Sequence, residues 1–149
     1  MVWKTKQDTI ITPNMNYKLE RNFNKEVPSW QSLLENYNWS LVNKKIVKHI
    51  CPGFFVSHDA HLIKEVEVSL QKLNCKVAHL YFNTCFGPTF GKHKDDVDVH
   101  FWQVQGITEW IIDNNKIILS PGDLLIVKKE VYHEVIPQTP RAGISMSKL

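Results

Sequence analysis

Lys116-Ile117-Ile118-Leu119-Ser120-Pro121-Gly122-Asp123-Leu124-Leu125-Ile126-Val127 reads as two short apolar β runs on either side of a turn. Each run is too short for a helix face, and Pro-Gly-Asp between them is turn chemistry. Similar runs flank it: Val77 to Thr84, Val97 to Gln105, Glu109 to Ile112, Val131 to Ile136 and Ala142 to Ser147. Asp113-Asn114-Asn115 joins two of them as a tight hairpin. Short strands at such spacing predict a β sandwich or barrel over residues 75–149.

The first half has a different character. To about Val27 the chain is polar and without periodicity, and it predicts an extended arm with a strand at Thr9-Ile10-Ile11. Pro28 and Ser29 then precede Trp30, Leu33, Leu34 and Tyr37, which recur at the spacing of one helix face. Ile46, Ile50 and Phe54-Phe55-Val56 read as edge strands around Pro52-Gly53. Ser57 or Asp59 is placed to cap a second helix bearing Leu62, Ile63, Val66, Leu70 and Leu73, which Asn74 ends. Residues 1–74 thus supply an arm, helices and edge strands, and helices packed on one outer face of the barrel complete an α+β architecture.

At 149 residues the chain is expected to form a single domain, 1–149, burying roughly two-thirds of its unfolded surface. No apolar run approaches the ~20 residues of a bilayer span, and Met1 to Asp8 lack a secretory pattern. A cytoplasmic protein with no membrane partner is the expectation. The three cysteines, Cys51, Cys75 and Cys85, contain no Cys-x-x-Cys pair, so neither a disulfide framework nor a thiolate zinc site is indicated. The net charge of +3 comes with scattered lysines, which gives no argument for nucleic acid.

The chemistry is carried by His93-Lys94-Asp95 together with His133. On a strand His93 and Asp95 share one side while Lys94 points away, and His133 follows a turn and an apolar strand that can return it across the barrel. Two imidazoles and one carboxylate form the facial triad of non-haem Fe(II) oxygenases, and three protein ligands leave positions open for co-substrate and dioxygen. Catalytic and metal roles therefore fall on His93, Asp95 and His133. A chance His-x-Asp pair is the competing explanation in a chain with seven histidines. His100 lies opposite in parity to Asp95 and is expected to face the helical layer. His58 and His61 are expected to be exposed at a helix start, Trp102 and Trp110 to be core or groove aromatics, and Gln103 and Tyr132 are weaker substrate-orienting candidates. Asp96 and Asp98 read as a charged strand rim, and Cys85 as a packing residue.

The segment from Gly87 to Trp110, with His93-Lys94-Asp95 leading into Val97-Asp98-Val99-His100-Phe101-Trp102 and then Gln103-Val104-Gln105-Gly106, resembles the metal-binding segment of cupin-like and JmjC-type oxygenases. Pro121-Gly122-Asp123 through His133-Glu134-Val135 resembles the second cupin motif. The resemblance covers about Val77 to Ser147. It implies a double-stranded β-helix, a jelly-roll of the cupin type, with Fe(II) on the triad, 2-oxoglutarate as co-substrate, dioxygen as oxidant and hydroxylation of a substrate C–H. In several JmjC-type members a Lys or Arg one strand after His-x-Asp pairs with the far carboxylate of 2-oxoglutarate. Thr108 occupies that position here. Arg141, ahead of Ser145, is the candidate substitute, since other 2-oxoglutarate oxygenases place an Arg and a following Ser after the distal histidine; a strand-end cation is the alternative. Tyr81 and Thr89 would add hydroxyl donors. Lys128-Lys129-Glu130 also replaces the Pro-x-Gly expected before that histidine. Two rivals stay open: a metal-dependent cupin enzyme without 2-oxoglutarate, and a non-catalytic cupin-fold binding or structural module. The substrate, a protein side chain or a small molecule, and self-association to a homo-oligomer are not decided by sequence.

Overall fold

The computed structural model describes residues 9–11, 16–45, 47–84, 87 and 89–149. Residues 1–8, Ile46 and Cys85 lie outside the described residues. In chain order the elements are β1 (Thr9–Ile11), β2 (Tyr17–Glu20), α1 (Trp30–Val42), β3 (Val47–Cys51), β4 (Phe54–Ser57), a 3-10 turn (Ala60–Leu62), α2 (Lys64–Leu73), β5 (Val77–Asn83), β6 (Val99–Gln105), β7 (Thr108–Ile112), β8 (Asn115–Leu119), β9 (Leu124–Val127), β10 (His133–Pro137) and β11 (Arg141–Ser147). They form an 8-stranded sheet, ordered β1-β2-β9-β6-β11-β5-β4-β3, and a 3-stranded sheet, ordered β10-β7-β8. Every pairing is antiparallel.

Alternation along the central strands builds two cores from one sheet. Ala78, Leu80 and Phe82 of β5, Trp102 and Val104 of β6, and Ala142, Ile144 and Met146 of β11 pack against Leu33, Ala60, Val66 and Leu70 of the helical layer. On the opposite face Phe101, Leu125, Val127, Tyr17 and Leu19 pack against Trp110, Ile112, Ile117 and Leu119 of the small sheet. Each such Leu or Ile contributes about 1.5–3 kcal/mol by burial. The result is a jelly-roll with helices on one outer face.

α1 starts where Pro28-Ser29 predicts: Ser29 caps it, its side chain accepting from the Ser32 N–H. Trp30, Leu33 and Tyr37 pack inward, whereas Leu34 is 46% exposed. The rest of the buried stripe is polar, Asn36 and Ser40, which bond to Asp59. This corrects the cap expected for the second helix. Ser57 belongs to β4, the Asp59 carboxylate accepts from Ser40, and a 3-10 turn pushes the start of α2 back to Lys64. Glu65 and Glu67 complement the helix dipole there in place of a cap. Asn74 ends α2 in the left-handed conformation (φ 53°), with the Cys75 N–H reaching back to Leu70. Asp113 and Asn114 (φ 51° and 63°) form the two-residue hairpin turn between Ile112 and Asn115. β2 lies in a stretch read as an extended arm with a strand only at 9–11; its Tyr17 and Leu19 alternate with Lys18 and Glu20 on the edge of β9.

Candidate metal centre

His133 opens β10, and its backbone exchanges two hydrogen bonds with His93: His93 N–H to the His133 carbonyl at 2.9 Å, and His133 N–H to the His93 carbonyl at 2.8 Å. This bridge holds the two rings with centroids 4.4 Å apart. Asp95 is tied to the same place, its carbonyl accepting from the Glu130 N–H at 2.7 Å. Its Oδ2 lies 3.3 Å from His133 Nε2 and 4.0 Å from His93 Nε2. Among the described residues these three offer ligand atoms all within 4.8 Å of one another.

Both Nδ1 atoms face main-chain carbonyls, His93 that of Gly91 at 2.8 Å and His133 that of Val131 at 3.0 Å. A carbonyl only accepts, so Nδ1 carries the hydrogen and the Nε2 lone pair of a neutral ring points to Asp95. Outer hydrogen bonds of this kind fix the tautomer in metal-binding histidines. When the His133 ring is protonated at both nitrogens, its Nε2–H donates to Asp95, and this hydrogen bond holds the Asp95 carboxyl below the usual carboxylate range against an opposing effect of burial. The donor set therefore suits a divalent cation with open coordination positions.

His93 and Asp95 do share a side, and Lys94 points away to Glu130 at 2.9 Å. They do so without a regular strand: among residues 89–98 only His93 forms a bridge, and Gly91 at φ 77° breaks the extension. Strand parity therefore does not link Thr89 to His93. Thr89 nevertheless lines the cavity, donating its hydroxyl to the Val135 carbonyl at 2.8 Å.

That cavity is about 360 Å³. The triad stands at one part of it, aromatic walls come from Phe54, Phe90, Phe101 and Trp110 and aliphatic ones from Val99 and Val135, and Arg141, Tyr81 and Ser145 join Thr89 as the remaining polar lining. Trp110 stacks on His133 (5.6 Å, 24°). Arg141 is only 1% exposed. Its Nε donates to Asn83 Oδ1 at 2.7 Å, while the Phe54 and Phe101 rings lie 5.6 and 5.9 Å from the guanidinium carbon. Its buried Nη1 has no hydrogen-bond partner. Burial lowers its pKa to about 9, which leaves it a cation at neutral pH. Burial also raises the Tyr81 phenol, with the Asp95 charge adding to the shift while Arg141 and a hydrogen bond with Ser145 oppose it.

Thr108 is corrected as a cavity residue. It is fully buried, its hydroxyl donates to Gln103 Oε1 (2.9 Å) and accepts from Trp110 Nε1 (3.2 Å), and it is absent from the lining. Gln103 is also consumed, its amide donating to the Gln105 and Gly106 carbonyls. Tyr132 is exposed beneath Lys92 and Lys94. His100 is buried on the helical face, as its parity predicts, and His61 is exposed. His58 is not: it is half-buried and stacks on His79 at 4.1 Å. Asn83 and the phenylalanine walls were not anticipated. Asn83 sits two residues after Tyr81 on the same face of β5, so strand parity from Tyr81 points to it.

No family model and no curated protein matches the sequence. Solved structures do match by shape. YcfD, a ribosomal oxygenase from Escherichia coli solved with cobalt and 2-oxoglutarate, aligns over 66% of this chain and 32% of its own length, with 18% identity and a TM-score of 0.56. KdgF from Halomonas sp. aligns over 70% of this chain and 86% of its own (20% identity, TM-score 0.52). An RmlC-like cupin from Shewanella frigidimarina aligns over 72% and 86% (14% identity, TM-score 0.52). The fold is that of the cupins. This chain spans only about a third of the oxygenase's length, and no helix among its described residues is long and apolar enough to cross a membrane.

Proposed function

We propose that the protein is an Fe(II)- and 2-oxoglutarate-dependent oxygenase that hydroxylates a small molecule or a protein side chain. The observation that carries this reading is Arg141: a buried cation without a carboxylate partner among the described residues, in the same cavity as a His-Asp-His triad. Buried charges are ordinarily paired, so a free guanidinium edge in a cavity suits an anionic ligand. His93, Asp95 and His133 would hold the metal. Bound Fe(II) and 2-oxoglutarate would supply dioxygen activation and C–H oxidation.

The chain's own residues have separable tasks. The backbone bridge sets the spacing of the two imidazoles, and the Gly91 and Val131 carbonyls keep their Nε2 lone pairs available. Arg141, with Tyr81 and Ser145 beside it, would bind the distal carboxylate of the co-substrate. Phe54, Phe90, Phe101 and Trp110 exclude water around the bound groups.

A metal-dependent cupin enzyme that does not use 2-oxoglutarate is the second reading, favoured by Thr108 at the position where JmjC-type members carry a cation. The test is anaerobic titration of the Fe(II)-loaded protein with 2-oxoglutarate, reading the visible charge-transfer band, with His93→Ala as control. A band in the wild type that the variant lacks supports the first reading. Fe(II) binding without a band favours the second, and absence of metal binding removes both.

A further inference from the structure

Phe54, Asn83 and Arg141 stand in one row across β4, β5 and β11, each directly opposite the next in register. Asn83 is 1% exposed, and its Oδ1 accepts from Arg141 Nε at 2.7 Å. The Phe54 and Phe101 rings lie 5.6 and 5.9 Å from the guanidinium carbon, and Nη1 is left without a partner. A buried arginine is ordinarily met by a carboxylate, yet among the described residues none pairs with it. An aspartate at the same register position would fit with the loss of no heavy atom and would neutralise the cation. Here the residue is a neutral amide.

We infer that Asn83 is a positioning residue that fixes the plane of Arg141 through Nε while withholding negative charge, so that the guanidinium charge is kept for a carboxylate ligand. This deepens the function proposed above and rests on its assignment of Arg141 to the co-substrate. Two effects follow from the chemistry. Holding Nε fixes the plane of the fork, so the remaining N–H groups meet a planar carboxylate edge-on. Keeping the partner neutral leaves the ligand as the counter-ion, whereas an internal carboxylate would compete with it at every concentration.

Succinate is the probe, measured by calorimetry on the metal-free wild type, Asn83→Ala and Asn83→Asp, with thermal unfolding and Co(II) absorption as parallel readouts. Asn83→Ala is expected to weaken succinate about tenfold, equivalent to about 1.4 kcal/mol. Asn83→Asp is expected to weaken it further while melting no lower than the wild type, because the cation is now paired. A residue with a merely structural role would lose stability and binding together. Co(II) spectra should be the same in all three proteins. Asn83→Asp binding succinate as tightly as the wild type overturns the inference; should that variant not fold, Asn83→Ala binding at wild-type strength does so. A wild type that binds no carboxylate also overturns it. Succinate binding that follows the expected order, without a 2-oxoglutarate charge-transfer band, would leave Asn83's role standing and remove the co-substrate assignment.

Discussion

Asp95 is the residue on which the two imidazoles converge, and it is more open to solvent than His133, with side-chain exposures of 36% and 4%. Removing it deletes one proposed ligand and a partner of both rings while taking little from either core. Asp95→Ala is therefore expected to weaken Co(II) or Fe(II) binding by about 100-fold or more, since even outer-shell changes cost 10–100-fold. Its urea midpoint should stay close to that of the wild type; metal affinity at the wild-type level would remove Asp95 from the ligand set. This residue was legible because two-residue spacing and chemistry coincide in His93-Lys94-Asp95. Arg141 was legible from an Arg ahead of a Ser on the last strand. Thr108 was not legible, because a hydroxyl in a strand gives no sign of which neighbour will consume it. Asn83 escaped for a different reason: an amide next to a turn ordinarily marks the turn.

Among the elements, β11 has a close approach that a substitution can probe. A Cβ on Gly143 would lie 2.0 Å from the Phe101 ring, which crosses the strand at that point. The same ring packs on Trp110 and Tyr81 and lies 5.9 Å from the Arg141 guanidinium. Gly143→Ala must displace it, and the expected loss is about 1–3 kcal/mol of stability by chemical denaturation, with weaker succinate binding. Wild-type stability would mean that the ring relaxes freely. The strands β5 to β11 were legible as apolar runs between turn signals, and the ends differ from expectation by only a residue or two. β2 was not, since its two inward residues, Tyr17 and Leu19, are too few for a period to stand out. The start of α2 was misplaced because Asp59, a good cap by type, is drawn to Ser40 of another helix. Tertiary partners decide such cases, and they are not written locally.

Across the whole molecule, three buried or half-buried histidines are expected to lower stability in acid. Burial is the leading cause that lowers His79, to about 4, and it also leads in lowering His58 and His100. A histidine with a depressed folded pKa binds fewer protons folded than unfolded, so stability is full above the unfolded value near 6.5 and declines as pH falls toward about 4. The urea midpoint should drop between pH 7 and pH 5, and His79→Gln should make that drop shallower; an unchanged slope would show that His79 does not stay neutral. Two sheets divide the cavity between them. His133 belongs to the small sheet and Arg141 to the large one. Facing sheets lie about 10 Å apart, so their separation acts as a gauge: a molecule must have some minimum length to touch the His133 end and the guanidinium together. Thickening either core would change which acids measure up, with no alteration to a single ligand.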